Sequence, residues 1–155
     1  MNTSLVFGII FAIIVIAFVL VFGAEQITNI FCVGNTAQVS KAVNDLENEV
    51  ENVYNLGQGS SMPFLVKIPK DSLICLINYD DPSPMNNWNP DPDIFESINY
   101  SVRNKGQNVW IDYGCANDEG YRISHLRLSE NFCVDTGTEL YLENMGSYVR
   151  IERPS

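Results

Sequence analysis

The chain has 155 residues, with nine Lys and Arg against nineteen Asp and Glu, for a net charge of -10. Phosphate backbones and anionic lipid surfaces both require a concentrated Lys/Arg patch, and the nine basic residues are scattered, so a nucleic-acid partner is excluded. The length accommodates one small domain beside any membrane segment.

Residues Leu5 to Ala24, LVFGIIFAIIVIAFVLVFGA, contain no charge, amide or hydroxyl. As a helix rising about 1.5 Å per residue, the run spans roughly 30 Å, the thickness of a hydrocarbon core. Inside lipid every backbone N–H and C=O must pair within the segment, which demands a helix. The expected layout is a cytoplasmic stub at 1–4, a transmembrane helix at 5–24 contacting the bilayer, and an exported remainder. The positive-inside rule hardly discriminates, since the first basic residue is Lys41. The topology rests on how short the stub is. A cleaved signal peptide is the alternative, opposed by the length of the run and by the lack of Lys or Arg in Met1–Ser4. Residues Asn29, Ile30 and Phe31 do not form a lipobox before Cys32.

Residues 25–56 read as an amphipathic stalk helix. Val39, Val43, Leu46, Val50 and Val53 recur at helical spacing, with Lys41, Asn44, Asp45, Glu47, Asn48, Glu49 and Glu51 between them. Gly34 and Asn35 are candidate breaks, and Gly57 and Gly59 are stop signals. The Val39–Val53 seam is expected to pack on its own domain; self-association or a protein partner is the alternative, weakened by a length of barely two heptads.

From 57 to 155 the texture is that of a small α+β domain, mainly antiparallel. Strands are expected at Pro63–Ile68 and Ser72–Tyr79, joined tightly by Pro69-Lys70-Asp71, the second with apolar residues on both faces as in a central strand. Asp80–Asp93 holds four prolines and no periodicity, a loop. A short helix follows at Asp93–Asn104, capped by Asp91-Pro92. Further strands are expected at Val109–Tyr113, Tyr121–Leu128, Glu139–Glu143 and Tyr148–Arg153. The last two form a hairpin across Asn144-Met145-Gly146, with Leu140, Leu142, Val149 and Ile151 sharing a face.

The four cysteines, Cys32, Cys75, Cys115 and Cys133, are spaced 43, 40 and 18 apart, without a CxxC. With one histidine in the chain, a zinc set is improbable, and an even count in an exported domain reads as disulfides. The favoured bridge is Cys75–Cys133; Cys32 lies near the membrane exit, remote from the domain.

Catalytic motifs are missing: there is no GxSxG, HExxH, P-loop or GxGxxG, and no cofactor is implied. His125 is placed on a strand face, where a lone His is usually a surface or packing residue. Asp80, Asp81, Asp91 and Asp93 offer oxygen ligands for calcium, but without DxDxDG spacing, so no metal is assigned. Trp88 is a candidate contact aromatic. Asn99-Tyr100-Ser101 is a sequon that export would expose; Asn2-Thr3-Ser4 is a second.

An apolar N-terminal helix running into an amphipathic one, then a small cysteine-bearing β-rich domain, resembles the layout of type IV pilins and of single-span archaeal surface proteins. The resemblance is architectural. It departs from pilins in lacking a basic leader ending in Gly and in placing its first acidic residue, Glu25, after the apolar run. The expectation is a non-catalytic, membrane-anchored extracytoplasmic domain acting by binding or assembly. Alternatives are a pilin-like filament subunit and a cell-surface enzyme using His125 and loop carboxylates.

Overall fold

A computed structural model describes residues 3–78, 80, 92–115 and 117–152. In chain order the elements are α1 (Thr3–Tyr54), β1 (Ser61–Leu65), β2 (Leu73–Leu76), α2 (Pro92–Lys105), β3 (Val109–Asp112), β4 (Glu119–Tyr121), β5 (Leu126–Leu128), β6 (Phe132–Val134), β7 (Glu139–Asn144) and β8 (Val149–Glu152). The architecture is α+β, with every strand pair antiparallel except β5 with β8. The chain divides into two compact units, Met1–Gly34 and Asn35–Ser155.

The first unit is helical. Its Val6–Gly23 stretch is long and apolar enough to cross a membrane, and none of it is buried. Phe18 and Phe22, one turn apart, stack with ring centroids 5.6 Å apart.

The second unit begins at Asn35, within helix α1, so Gly34 and Asn35 do not end the helix. Residues 35–54, expected as part of a stalk, instead belong to the folded unit. Val39, Val43, Leu46, Val50 and Val53 are 0–2 % exposed and share one core cluster with residues of both sheets. Lys41, Asp45, Glu47 and Glu51 on the other side are exposed. Each buried Val or Leu contributes about 1.5–3 kcal/mol relative to exposure, which favours the intramolecular use of the seam over self-association.

Helix α1 stops where Asn144 meets it. The last turn carries no basic residue, and the carbonyls of Val53, Tyr54 and Leu56 accept from Asn144 Nδ2 at 2.8, 2.9 and 2.8 Å. Helix-end carbonyls lack intrahelical donors, so the buried amide replaces the glycine cap that the sequence suggests. Asn144 itself is 2 % exposed.

One sheet has the order β1-β7-β8-β5, the other β4-β3-β2-β6. In the first, Leu142 lies opposite both Met62 and Ile151, and Leu126 and Leu128 pair with Val149 and Ile151. Leu140, Leu142, Val149 and Ile151 are fully buried on one face while Tyr141 is exposed, the alternation of a half-buried sheet. The β7–β8 connection is Met145–Tyr148, closed by Met145 N donating to Tyr148 O at 2.8 Å, rather than a loop starting at Asn144. In the second sheet, β2 is central and covered on both faces, as its apolar run implies. Ile74 and Leu76 enter the main core; Cys75 and Ile77 pack with Trp110, Ile98 and Val102 beneath α2.

Two expected strand relationships differ. β1 and β2 lie in different sheets, so 66–72 is a crossing and not a tight hairpin. The expected strand 121–128 is two short strands, also in different sheets. Between β4 and β7 the chain changes sheet three times, and polar side chains pin each crossing. Asn108 accepts from Ile123 N at 2.8 Å and donates to Ile123 O at 2.9 Å and Leu126 O at 3.3 Å. Asn131 Oδ1 accepts from Asn78 N at 2.6 Å. Thr136 Oγ1 accepts from Ile68 N at 3.3 Å. These bonds satisfy backbone groups that leave one ladder before joining the other.

Candidate functional site

A cleft of about 480 Å³ lies between α2 and the β3–β4 edge of the second sheet. Helix α2 presents Glu96, Tyr100 and Lys105 from one side; Trp110, Asp118 and Glu119 come from the other. The helix is placed by Ile98 and Val102, buried on the sheet. It ends at Gly106, whose φ of 62° is left-handed and whose N–H donates to Val102 O at 3.0 Å, with Arg103 and Lys105 in the last turn.

The cleft floor is a polar relay: Ser101 Oγ donates to Gln107 Oε1, and Gln107 Nε2 donates to Gly120 O. A Cβ at Gly120 would meet the side-chain ends of Gln107 and Ser101, which would have to shift and give up this relay. Glu119 is oriented by two phenols. Tyr121 Oη donates to its Oε2 at 2.7 Å, and Tyr113 Oη lies 3.0 Å from Tyr121 Oη. Burial first, then the bonds to Tyr113 and Glu119, raise the Tyr121 pKa. Asp118 is also raised from its ordinary 3.8, mainly by burial and then by the Asp112 charge, with the Trp110 N–H acting in the opposite direction. Trp110 is 7 % exposed and its Nε1 has no acceptor in hydrogen-bond geometry, so its influence on Asp118 is electrostatic.

Chemically the cleft is rich in acceptors. Its lining carries three acidic residues and one lysine, the Glu119 carboxylate accepting from Tyr121 and Tyr113, and the ring of Tyr100, 64 % exposed, supplies an apolar face. Such a surface suits a ligand bearing hydroxyl or ammonium donors. Its lining includes neither His nor Cys.

Of the residues singled out from the sequence, Cys32, Cys75, Asp80, Cys115, His125 and Cys133 do not line this cleft. Cys75 and Cys133 are directly opposite on β2 and β6 and form a disulfide. Cys32 and Cys115 are disulfide-bonded too, and no cysteine is free, so the expectation of a single bridge is corrected. Asp80 is exposed, its N–H donating to Asn78 Oδ1 at 3.0 Å. Asp81, Trp88 and Asp91 lie outside the described residues, as do the side chains of Asp93 and Asn99. Among the described residues no three His, Cys, Asp or Glu side chains come together as a metal site.

His125 is not on a strand face. It ends the 122–125 crossing in a left-handed conformation, φ 61°, and lines a second pocket in which no carboxylate takes part. The acid–base pairing of His125 with loop carboxylates therefore has no geometry behind it among the described residues. In the sequence Asp118 and Glu119 read only as an adjacent, solvated carboxylate pair, and Tyr100 and Trp110 lie on other elements with no motif to link them to it. Comparison with protein-family models, with curated proteins and with solved structures finds no match to this chain.

Proposed function

We propose that this chain is a membrane-anchored extracytoplasmic protein that acts by binding, with the α2–β4 cleft as its ligand site. The observation that carries the anchoring is the wholly unburied apolar stretch Val6–Gly23: a core helix of that composition would be covered by its own fold. The disulfide form of all four cysteines supports an oxidising compartment. The acceptor-rich lining of the cleft supports ligand binding there. Carbonate extraction of membranes followed by protease protection tests the anchoring. Recovery in the soluble fraction, or protection of the Asn35–Ser155 unit on the cytoplasmic side, would refute it.

A pilin-like subunit is the second reading, favoured by the same exposed apolar helix, which would pack helix against helix in a filament core. Shearing cells and examining the released material for filaments containing this chain separates the two readings.

A further inference from the structure

Between the end of α2 and the β7–β8 turn lies a second pocket, about 200 Å³, whose charge is opposite to that of the chain. Its charged lining is Arg122 and Arg127, joined by the His125 ring and the hydroxyls of Ser124 and Ser147, and no carboxylate of the described residues lines it. The chain carries nineteen acidic residues against nine basic ones, so arginines without an acidic neighbour are unexpected. Among the described residues the ion pairs engage Lys41 and Arg150, and neither Arg122 nor Arg127.

The fold holds these groups in place. The Arg127 guanidinium lies over the Tyr148 ring, 5.3 Å from its centroid. Arg122 runs past Gly106, with Nη1 3.7 Å from where a Cβ would stand. Three backbone acceptors at the crossing and the start of β5 are already used: Ile123 O and Leu126 O accept from Asn108 Nδ2, and His125 O accepts from Val149 N at 2.7 Å. With those oxygens engaged, the groups left to meet a ligand are chiefly N–H and O–H donors. Two arginine forks and two hydroxyls, with no competing carboxylate, are the complement of an oxyanion.

We propose that this pocket binds a phosphate or sulfate group. Its donors come from the 122–125 crossing, from β5 and from the β7–β8 turn, so they converge from several directions on an anion with acceptors on every side. The group arrives either as a free inorganic ion or esterified in an anionic lipid headgroup.

The test uses the full chain in maltoside micelles, titrated with inorganic phosphate and separately with inorganic sulfate, against chloride at matched ionic strength. Binding is followed by arginine side-chain NMR signals. A second arm adds a short-chain phosphatidic acid to the same micelles. The expected result is saturable binding that chloride does not reproduce, weakened about tenfold or more in Arg122→Gln and Arg127→Gln. Saturation by the inorganic ion assigns a free anion; saturation by the phosphatidic acid alone assigns a headgroup. Both arginines are exposed, so the variants should fold, and their melting temperatures verify it. The proposal is overturned if phosphate, sulfate and phosphatidic acid all behave like chloride. It is equally overturned if both variants bind as tightly as the native chain, the arginines then serving only the Tyr148 ring and the α2 carboxyl end.

Discussion

The imidazole of His125 stacks on the ring of Tyr54, with centroids 3.7 Å apart and 13° between the planes. The contact joins the last residue of α1 to the crossing that carries the chain from one sheet to the other. His125 is also the one non-glycine residue with positive φ among those described. Its ring interaction is worth about 0.5–1.5 kcal/mol, while a left-handed backbone with a Cβ costs roughly 1–2 kcal/mol. His125→Ala loses the stack and keeps the strain; His125→Gly loses both. Denaturant unfolding of the full chain in micelles should therefore rank Gly above Ala by about 1–2 kcal/mol, the strain relieved, with the native chain close to Gly because the stack offsets most of that strain. Finding the Ala variant more stable than the Gly variant would show that the backbone at 125 is unstrained.

Asn144 closes three carbonyls at the end of α1 from a buried position on β7. Its Oδ1 meanwhile accepts from Gly146 N at 2.6 Å, which fixes the turn. Asn144→Ala should destabilise by about 1–3 kcal/mol, the cost of leaving buried polar groups unpaired. Asn144→Asp should be worse, because it turns a carboxylate toward carbonyl oxygens. Unfolding curves of the two variants measure both effects.

The Cys75–Cys133 bridge closes a sequence separation of 58 residues between paired strands. By chain-entropy arithmetic such a loop is worth about 4 kcal/mol. Cys75→Ser with Cys133→Ser should lower the melting temperature markedly in the otherwise oxidised protein. Peptide mapping that found Cys75 alkylated without reduction would contradict the bridge itself.

Leu46 is 1 % exposed in the seam of α1, whereas Glu47 beside it is exposed. Leu46→Ala is expected to cost about 2–5 kcal/mol through lost burial and the cavity left behind. Glu47→Ala should stay within about 0.5 kcal/mol. Equal, small effects at both positions would mean that the seam is not packed in solution, which would reopen self-association through it.

Asp118 supplies a pH dependence whose sign follows from its environment. Burial and Asp112 raise its folded pKa above the ordinary 3.8, so above that value the native chain holds a proton more firmly than the unfolded one. Stability from this group is present at low pH and falls as pH rises through the folded pKa. Asp118→Asn should accordingly raise the melting temperature near neutral pH and lose that gain at about pH 3, where the carboxyl is protonated in both states. A gain that persisted unchanged in acid would assign the effect to packing.

Elements that repeat over several turns or residues were legible in the sequence. The Val39–Val53 seam shows the helical period, because a face must recur every three or four residues to stay buried. The β7–β8 pair shows strand alternation for the same reason with period two. Cys75 in an apolar run identified a central strand, whereas the even cysteine count leaves three connectivities open, and the pairing of β2 with β6 decides for Cys75–Cys133. Tertiary structure alone decided the rest. Strands as short as Glu119–Tyr121 and Leu126–Leu128 are too brief to display a period, so one expected strand proved to be two in different sheets. Asn108 and Asn144 act through bonds to backbone groups up to 91 residues away, which leave no local pattern. The same holds for both clefts. Nine basic residues look scattered along the chain, yet a sheet crossing and two turns place Arg122, His125 and Arg127 around one cavity, and charge acts through space and not along the sequence.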